Sequence, residues 1–393
     1  MEDEEEHPRE ETEKDEIEYP YEFDEDRREL AKIYSKQKLF TGLIQGTILI
    51  IFVLGIFSFT PLSRYLQSFS FSLLDGTFLD LYWLGVTIYI ILFSSIIYLT
   101  GLPLSYYSGF IIEHKYDLSN QTLSQWLKDQ GKSMMISLIM ATPLILAIFY
   151  LGSTFPDMWW LYAGIIYFIV LSVLSNISHL IIIPLFYNTE ELQDEELKQR
   201  LISIAKNNGV PEVEKVVVVK AGEKTEKANA GFAGMGKTKR ILLFDTLLDK
   251  FHKNEIESVV AHEMGHYVQK DTLRFILIEG LLIFPMFYLT GYIFNIWAGF
   301  SNIYNLPLFL LIMYGLYSIV DPMILAYNRY RERKADSFAL NVIGRSTPVI
   351  STFKRLSDID LSELNPHKLI EIFFYSHPPP NKRIEQAEET YSD

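Results

Sequence analysis

The 393-residue sequence contains no cysteine. It can therefore form no disulfide bond, offer no catalytic thiol and supply no thiolate ligand to a zinc ion. Basic residues are also in deficit, because 35 Lys and Arg stand against 49 Asp and Glu, a formal net charge of −14. Proteins that bind nucleic acids neutralise phosphates with clustered Lys and Arg. The sequence therefore predicts no nucleic-acid partner.

Most of the negative charge lies at the amino terminus. Residues 1–26 hold fifteen Asp or Glu and two Lys or Arg, whereas the rest of the chain is close to neutral. This segment lacks the apolar core of a signal peptide. It also cannot bury enough apolar surface to offset the entropy of ordering it. We predict a disordered acidic tail over residues 1–27, with a solvated tail as the simplest interpretation and a regulatory tail as the alternative.

Long apolar runs are the main feature of the remaining chain. Hydrophobic residues make up 49% of the sequence and the mean hydropathy is +0.12. A helix needs about 20 apolar residues to cross a bilayer, and six runs meet that length. The sequence therefore predicts a multi-pass α-helical membrane protein in contact with the lipid bilayer. The predicted spans are residues 40–59, 81–100, 133–151, 158–187, 275–297 and 306–327.

The distribution of Lys and Arg predicts how the chain is oriented. These residues are frequent before the first span, in the connection 102–132, and in two large polar stretches, 188–274 and 328–393. The alternate connections hold only Arg64. The positive-inside rule therefore places both termini and both polar stretches on the cytoplasmic side. In this scheme residues 28–187 carry spans one to four, residues 275–327 form a transmembrane hairpin, and the two polar stretches assemble into one domain.

The first polar stretch has mixed α and β character. Residues 195–207 have helical periodicity, and residues 215–220 and 240–244 are predicted strands. Between the strands, residues 229–236 are rich in glycine, so another backbone can approach them closely. A phosphate-binding loop is a poor alternative. The Gly-Lys-Thr of this chain leads into a predicted strand, whereas the Gly-Lys-Ser/Thr of a phosphate-binding loop leads into a helix.

The sequence His262-Glu263-Met264-Gly265-His266 carries the clearest chemical signal. We predict that its helix begins near Asn254, with Glu257 in a capping-box relation. Residues four apart project from one face of a helix, so the two imidazoles can bind one zinc ion with Glu263 beside the metal-bound water. A surface helix with two solvated histidines is the alternative.

A zinc site of this kind requires a third ligand, which without cysteine must be His, Asp or Glu. Glu332 and Asp336 lie four residues apart in the predicted helix after the sixth span. An ordinary charged helix next to the membrane would look the same. The predicted hairpin, however, returns this helix to the side of the membrane on which the HEMGH helix lies.

Taken together, these motifs resemble the integral-membrane zinc metalloproteases called type I CAAX prenyl proteases. HEMGH is followed by a hairpin, by Glu332 and Asp336, and by Ser376-His377-Pro378-Pro379 with Arg383 beyond it. Residues 107–132 and 229–248 also look like segments of that family. The resemblance implies a small α+β zincin-like metallopeptidase domain on the cytoplasmic side.

The resemblance also implies roles for individual residues. His262, His266 and Glu332 would bind one Zn²⁺ per chain, and Glu263 would be the general base. Asp336 would orient a ligand histidine, held in turn by Arg383, and His377 would stabilise the oxyanion. An edge strand would bind the substrate as an added strand. Its residues would be Asn229, Ala230, Gly231 and Phe232.

The substrate implied by the resemblance is a prenylated C-terminal peptide. A protease for misfolded membrane proteins is the alternative with the same chemistry, and a transporter or channel with a regulatory metal site is the alternative of another class. One departure concerns the span count. Eukaryotic members have seven spans around a water-filled chamber, whereas this chain has an acidic tail in place of the first span.

Overall fold

The computed structural model describes residues 17–75, 81–234 and 239–391, and of residues 176–181 it describes the backbone alone. The amino-terminal part is helical: α1 (Glu25–Leu43), a π-helical turn (Ile44–Leu49), α2 (Ile50–Phe59), α3 (Leu62–Ser72), α4 (Tyr82–Tyr106), a second π-helical turn (Tyr107–Ile111), α5 (Ile112–Lys115), α6 (Leu123–Thr154) and α7 (Trp159–Phe186).

A small α+β region follows: β1 (Thr189–Glu191), α8 (Glu195–Asn207), β2 (Lys215–Val219), β3 (Ala230–Ala233), β4 (Arg240–Phe244), α9 (Asp245–Lys250) and α10 (Lys253–Val268). The remaining elements are helical: α11 (Asp271–Trp297), a 3₁₀ turn (Ile303–Asn305), α12 (Leu306–Ile343), α13 (Thr347–Ile359), α14 (Lys368–Phe374) and α15 (Pro380–Thr390).

Among the described residues, five helices are long and apolar enough to cross a membrane. They are Glu25–Phe59, Tyr82–Lys115, Leu123–Thr154, Asp271–Trp297 and Ile303–Ile343. Each contains nearly all of one predicted span, so a multi-pass membrane architecture is confirmed. The fourth predicted span coincides with α7, whose residues Trp159–Ser175 form a shorter apolar helix. A total of six spans therefore stays a prediction.

The long helices extend beyond the predicted spans by one to several turns, always at the same end of the bundle. The extensions are residues 25–39, 101–115, 123–132, 271–274 and 328–343. At that end the α+β region packs on the bundle, with α10 against α12. The two polar stretches, far apart in sequence, thus pack against each other.

The domain is built on a four-stranded sheet with the order β1-β2-β4-β3. β2 and β4 are parallel, and β3 pairs antiparallel with β4, so that Ala230 lies opposite Leu243 and Ala233 opposite Arg240. The predicted strands at 215–220 and 240–244 are confirmed. β3 is an edge strand, and its outer side has no partner strand among the described residues.

A hydrophobic core joins this sheet to α8 and α10. Buried side chains from all three pack together, including Leu201, Val216, Ile241, Val260 and Met264. The apolar stripe of α8 makes the predicted helix at 195–207 stable, because burial of such side chains contributes about 1.5–3 kcal/mol each. The sheet and α10 are therefore held as one rigid unit, which fixes where the HEMGH motif lies.

The predicted start of the HEMGH helix near Asn254 is confirmed to within one residue, but the predicted N-cap and capping box are wrong. The HEMGH helix begins at Lys253 with His252 as its N-cap, and the capping box uses Glu255. The prediction had placed these roles at Asn254 and Glu257. The His252 ring accepts a hydrogen bond from the Asn254 N–H, and the Glu255 carboxylate accepts one from the His252 N–H. A histidine can thus satisfy the orphan donors of a helix start that Asn or Ser would ordinarily satisfy.

The predicted disordered tail is wrong for residues 17–27, and residues 1–16 lie outside the described residues. Residues 17–24 lie along α13, where the Tyr21 hydroxyl and the Asp24 N–H both donate to Asp358 Oδ2, at 2.9 and 2.8 Å. Arg28 in α1 forms an ion pair with the same carboxylate. The composition of this segment could not predict these contacts, because the acceptor of its hydrogen bonds, the buried Asp358, lies more than 300 residues away in the sequence.

Candidate active site and metal centre

Helix α10 carries His262, Glu263 and His266 at the interface between the sheet and α12. The two imidazoles are one helical turn apart, and their Nε2 atoms lie 3.2 Å from each other. Gly265 permits this arrangement, because a Cβ there would lie 3.1 Å from Ala335 Cα and 3.2 Å from its carbonyl oxygen. The absence of a side chain lets α10 and α12 approach closely.

Helix α12 brings Glu332 to the two histidines. Its carboxylate oxygens lie 3.3 Å from His262 Nε2 and 3.3 Å from His266 Nε2. Glu332 is buried, and its Oε2 makes no hydrogen bond to any described residue. A buried carboxylate oxygen without a hydrogen-bond donor destabilises the fold, because it has lost its water without gaining a partner. A cation bound between this oxygen and the two ring nitrogens would remove that penalty.

The opposite ring nitrogens are each bound to a carboxylate. His262 Nδ1 lies 2.8 Å from Asp336 Oδ1, and His266 Nδ1 lies 2.9 Å from Asp271 Oδ2. A carboxylate accepts a hydrogen bond, so in the neutral imidazole each Nδ1 carries the hydrogen and each Nε2 presents a lone pair.

This donor set fits a metal ion. Two Nε2 lone pairs and a carboxylate converge with ligand atoms within 4.8 Å of one another, where they repel in the absence of positive charge. Two imidazoles and a carboxylate are also ligands that zinc accepts. His262, His266 and Glu332 are therefore the residues that could hold the ion.

Glu263 follows His262 on α10, and both residues border a cavity of about 510 Å³. Burial raises the pKa of the Glu263 carboxyl above its usual range, an effect that the neighbouring histidines oppose. A carboxyl with a raised pKa is a stronger base, which suits a group that takes a proton from water near neutral pH.

The chain after α14 brings two further predicted residues to the site. His377 Nε2 lies 3.3 Å from Glu332 Oε1, and its Nδ1 lies 2.9 Å from the Ser376 hydroxyl. Although its side chain is partly accessible, desolvation beside the cavity lowers the pKa of His377, which favours the neutral imidazole at pH 7. Arg383 donates to both oxygens of Asp336, at 2.9 and 2.6 Å.

The predicted substrate strand lies next to this centre. Asn229 and Ala230 border the same cavity as His262, Glu263 and His377, and Gly231 and Phe232 continue β3 away from it. A Cβ on Gly231 would meet no atom within 4 Å, so the face of the sheet to which this residue points is open here.

Sequence analysis missed the second carboxylate, Asp271. It is the first residue of α11, only five positions after His266, and Lys270 between the two helices has φ of 56°. This left-handed residue turns the chain sharply, so that Asp271 comes back beside the His266 ring. Arg331 holds the other oxygen of Asp271 at 2.5 Å. An acidic residue closely following HEMGH was a signal that could have indicated this contact.

Comparisons with known proteins agree with this architecture. A family model described as Peptidase family M48 matches residues 191–391, and one described as the CAAX prenyl protease N-terminal region, five membrane helices, matches residues 15–188. The uncharacterized metalloprotease YhfN of Bacillus subtilis is 32% identical over 311 residues, which cover 76% of this chain and 72% of the relative.

Two further matches are to proteins of yeasts. CAAX prenyl protease 1 of Saccharomyces cerevisiae is 28% identical over 317 residues, covering 75% of this chain and 70% of that protein. The crystal structure of S. mikatae Ste24p superposes with a TM-score of 0.78 at 25% identity and covers 93% of this chain and 89% of that chain. Both parts of the chain, the helical bundle and the domain that carries HEMGH, thus match one kind of protein. The chain belongs to peptidase family M48 and is an integral-membrane metalloendopeptidase of the CAAX prenyl protease family.

Proposed function

We propose that this protein is a zinc-dependent endopeptidase whose catalytic centre consists of His262, His266, Glu332 and Glu263. One observation carries the proposal: two Nε2 atoms and a buried carboxylate converge, while separate carboxylates lie within hydrogen-bond distance of both Nδ1 atoms. A structural pair of histidines would not need this arrangement. The resemblance of the motifs to the CAAX prenyl proteases supports the same assignment.

His262, His266 and Glu332 hold the Zn²⁺ in this proposal. When bound, Zn²⁺ lowers the pKa of water and polarises a peptide carbonyl. Glu263 accepts the proton of the attacking water and then delivers it to the departing amine. Its raised pKa suits both transfers, because the carboxyl must gain the proton and then release it within one turnover.

His377 is placed to stabilise the oxyanion of the tetrahedral intermediate. His377 Nε2 faces the carboxylate oxygen of Glu332, which accepts, so the tautomer with the hydrogen on Nε2 directs a donor at the centre while Nδ1 accepts from the Ser376 hydroxyl. Arg383 acts through Asp336: its two hydrogen bonds fix that carboxylate, which in turn fixes the tautomer of His262.

The substrate binds as an added strand along β3. Asn229, Ala230, Gly231 and Phe232 lie along the edge of the sheet, where alternate residues direct backbone groups away from β4, and the first two border the catalytic cavity. Main-chain hydrogen bonds of this kind bind an extended peptide with little regard to its sequence. The peptide then lies across Glu263 in a stretched conformation, which exposes its carbonyl groups to attack.

The substrate class we propose is a prenylated C-terminal peptide, as the names of the yeast and other relatives suggest. The lipid bilayer is the natural source of such a substrate. We further propose that α7 is a membrane span, giving six, and that the catalytic domain and both termini face the cytoplasm. Clustered Lys and Arg at the domain end of the spans support that orientation.

The test is a Glu263→Gln variant of the full-length protein in detergent or liposomes. It should bind one Zn²⁺ per chain as the wild type does and lose at least about 10²-fold in activity, because a general base contributes about 10²–10⁴-fold. Undiminished cleavage by the variant would refute the mechanism. Parallel assays with a farnesylated CAAX peptide and an unfolded membrane protein decide between the two substrate classes.

A further inference from the structure

The segment that carries His377 connects α14 to α15 over residues 375–379. The side chain of His377 is 58% exposed, so few neighbouring side chains hold it in place. Its Nε2 nevertheless lies 3.3 Å from Glu332 Oε1. The position of this ring at the candidate metal centre therefore depends on what holds the backbone on either side of it.

On the downstream side of His377 the chain is stiff and attached to α12. Three prolines follow at residues 378–380, and each proline ring fixes its own φ angle. Arg383, in the first turn of α15, donates two hydrogen bonds to Asp336 of α12. The proposed mechanism already uses this pair, so the downstream end of the segment is accounted for.

On the upstream side the segment is attached to Arg329, a residue of α12 to which the proposed mechanism gives no role. Arg329 Nη1 donates to the carbonyl oxygens of Glu371 and Tyr375, at 2.9 and 2.6 Å. Both carbonyls lie at the carboxyl end of α14, where a cation is electrostatically favoured. Arg329 is only 7% exposed, and a buried guanidinium is stable only where its donors are satisfied.

The carboxylate closest to this contact is bound by another residue. Lys382 donates to both carboxylate oxygens of Glu371, at 2.8 and 2.7 Å. The hydrogen bonds of Arg329 to described residues both end on main-chain oxygens instead. An arginine that served only to neutralise charge would bind the carboxylate. Arg329 instead fixes the course of the backbone up to Tyr375, two residues before His377.

Both attachments of the segment come from one face of α12. Arg329, Glu332 and Asp336 are three and four residues apart, so they project from the same side of this helix. The candidate metal ligand Glu332 thus lies between the residues that hold the two ends of the His377 segment. We propose that Arg329 is a positioning residue that fixes His377 at the metal centre. This deepens the proposed function and rests on it, because the oxyanion role of His377 belongs to that function.

The experiment compares Arg329→Gln, His377→Ala and the double variant as full-length zinc enzymes that cleave a farnesylated CAAX peptide. Loss of an oxyanion donor costs about 10²–10³ in kcat, which is the loss expected for His377→Ala. Arg329→Gln should lose about tenfold or more in kcat with KM within about twofold of the wild type, because the ring is displaced and the peptide still binds.

The double variant tests whether Arg329 acts through His377. Its kcat should lie within about twofold of that of His377→Ala, because a ring that is already absent cannot be displaced. Losses that multiply in the double variant would overturn the proposal, since they would show that Arg329 affects cleavage by another route. Each variant should bind one Zn²⁺ per chain, because neither residue is a candidate ligand.

Arg333→Gln is the matched control, since Arg333 is an exposed arginine one turn further along α12. It should keep the wild-type kcat, and a loss equal to that of Arg329→Gln would overturn the proposal. Arg329→Lys keeps the positive charge on a shorter side chain, so its kcat should lie between those of the wild type and Arg329→Gln. If Arg329→Gln does not fold, Arg329→Lys enters the double variant in its place.

Hydrogen exchange separates this proposal from the peptidase mechanism. The Tyr375 N–H donates to the Glu371 carbonyl at the end of α14. Peptides that cover residues 368–377 should exchange at least about tenfold faster in Arg329→Gln than in the wild type, whereas peptides from α10 should not change. If the zinc-loaded wild type cleaves no peptide, the proposed function fails, but this exchange still decides whether Arg329 holds the segment. Equal exchange in both proteins would refute the positioning role whatever the activity shows.

Discussion

Gly265 of α10 packs against the backbone of Ala335 in α12, so closely that an added Cβ would lie 3.1 Å from Ala335 Cα. Both residues are buried, and backbone atoms on the α12 side cannot rotate away as a side chain could. This contact sets the distance between the helix that bears both histidines and the helix that bears Glu332. The geometry of the candidate metal centre therefore depends on a glycine that contributes no ligand.

Substitution Gly265→Ala should weaken the metal site. The methyl group would push α10 from α12 by a few tenths of an ångström, and we expect zinc affinity and kcat/KM to fall about tenfold or more. Zinc affinity is measured by competition with a chelator. Gly131→Ala in α6, where a Cβ meets no atom within 4 Å, is the control and should bind zinc normally. Wild-type zinc affinity in Gly265→Ala would show that the close contact does not set the site.

Asp271 should matter for zinc binding although it is not a candidate ligand. Asp271→Ala removes the acceptor 2.9 Å from His266 Nδ1, and loss of such a partner typically costs about 10–100-fold in metal affinity. Asp271→Asn retains an oxygen that can accept the same hydrogen bond, so its zinc affinity should lie between those of the wild type and Asp271→Ala. The same chelator competition measures both variants. An Asp271→Ala protein with wild-type affinity would contradict the orienting role.

Removal of Arg383 should destabilise the domain strongly. Its partner Asp336 is 1% exposed, and breaking a buried pair costs about 3–5 kcal/mol in the free energy of unfolding, because a buried charge is left alone. Arg383→Gln is therefore expected to unfold at much lower denaturant concentration. Lys382→Gln, on the adjacent residue, breaks a pair with Glu371 at 2.7 Å in which the lysine is 54% exposed. That control should lose less than about 1 kcal/mol, and similar losses in both variants would contradict the buried-pair account.

The pH dependence of cleavage should reflect the half-buried Glu263. As the general base it must be ionised, so activity falls as the pH drops through its pKa. Burial raises that pKa above the ordinary value of 4.5, so the acid limb of kcat/KM should lie above pH 4.5. Zinc content must be measured at each pH, because protonation of the histidines also releases metal. An acid limb at or below pH 4.5 in fully loaded enzyme would contradict this assignment.

Much of the fold could be predicted because its signals are local. A long apolar run predicts a membrane helix from its own residues alone. Accordingly, each of the five long apolar helices contains most of a predicted span. Likewise, KVVVVK reads as a buried strand from its own residues, and the spacing of His262 and His266 places them on one face of a helix. Local signals failed at the start of α10, where a histidine acts as the N-cap.

The sequence by itself determined the membrane helices and the helix that carries HEMGH. It also narrowed the candidates for the third metal ligand to Glu332 and Asp336. The tertiary structure decided that Glu332 faces both Nε2 atoms and that Asp336 faces Nδ1 of His262. It also revealed Asp271 beside His266, the packing of residues 17–24 on α13, and Arg329 at the carboxyl end of α14. The physical reason is that hydrophobicity and helical spacing act over neighbouring residues, whereas these contacts depend on how closely distant helices pack.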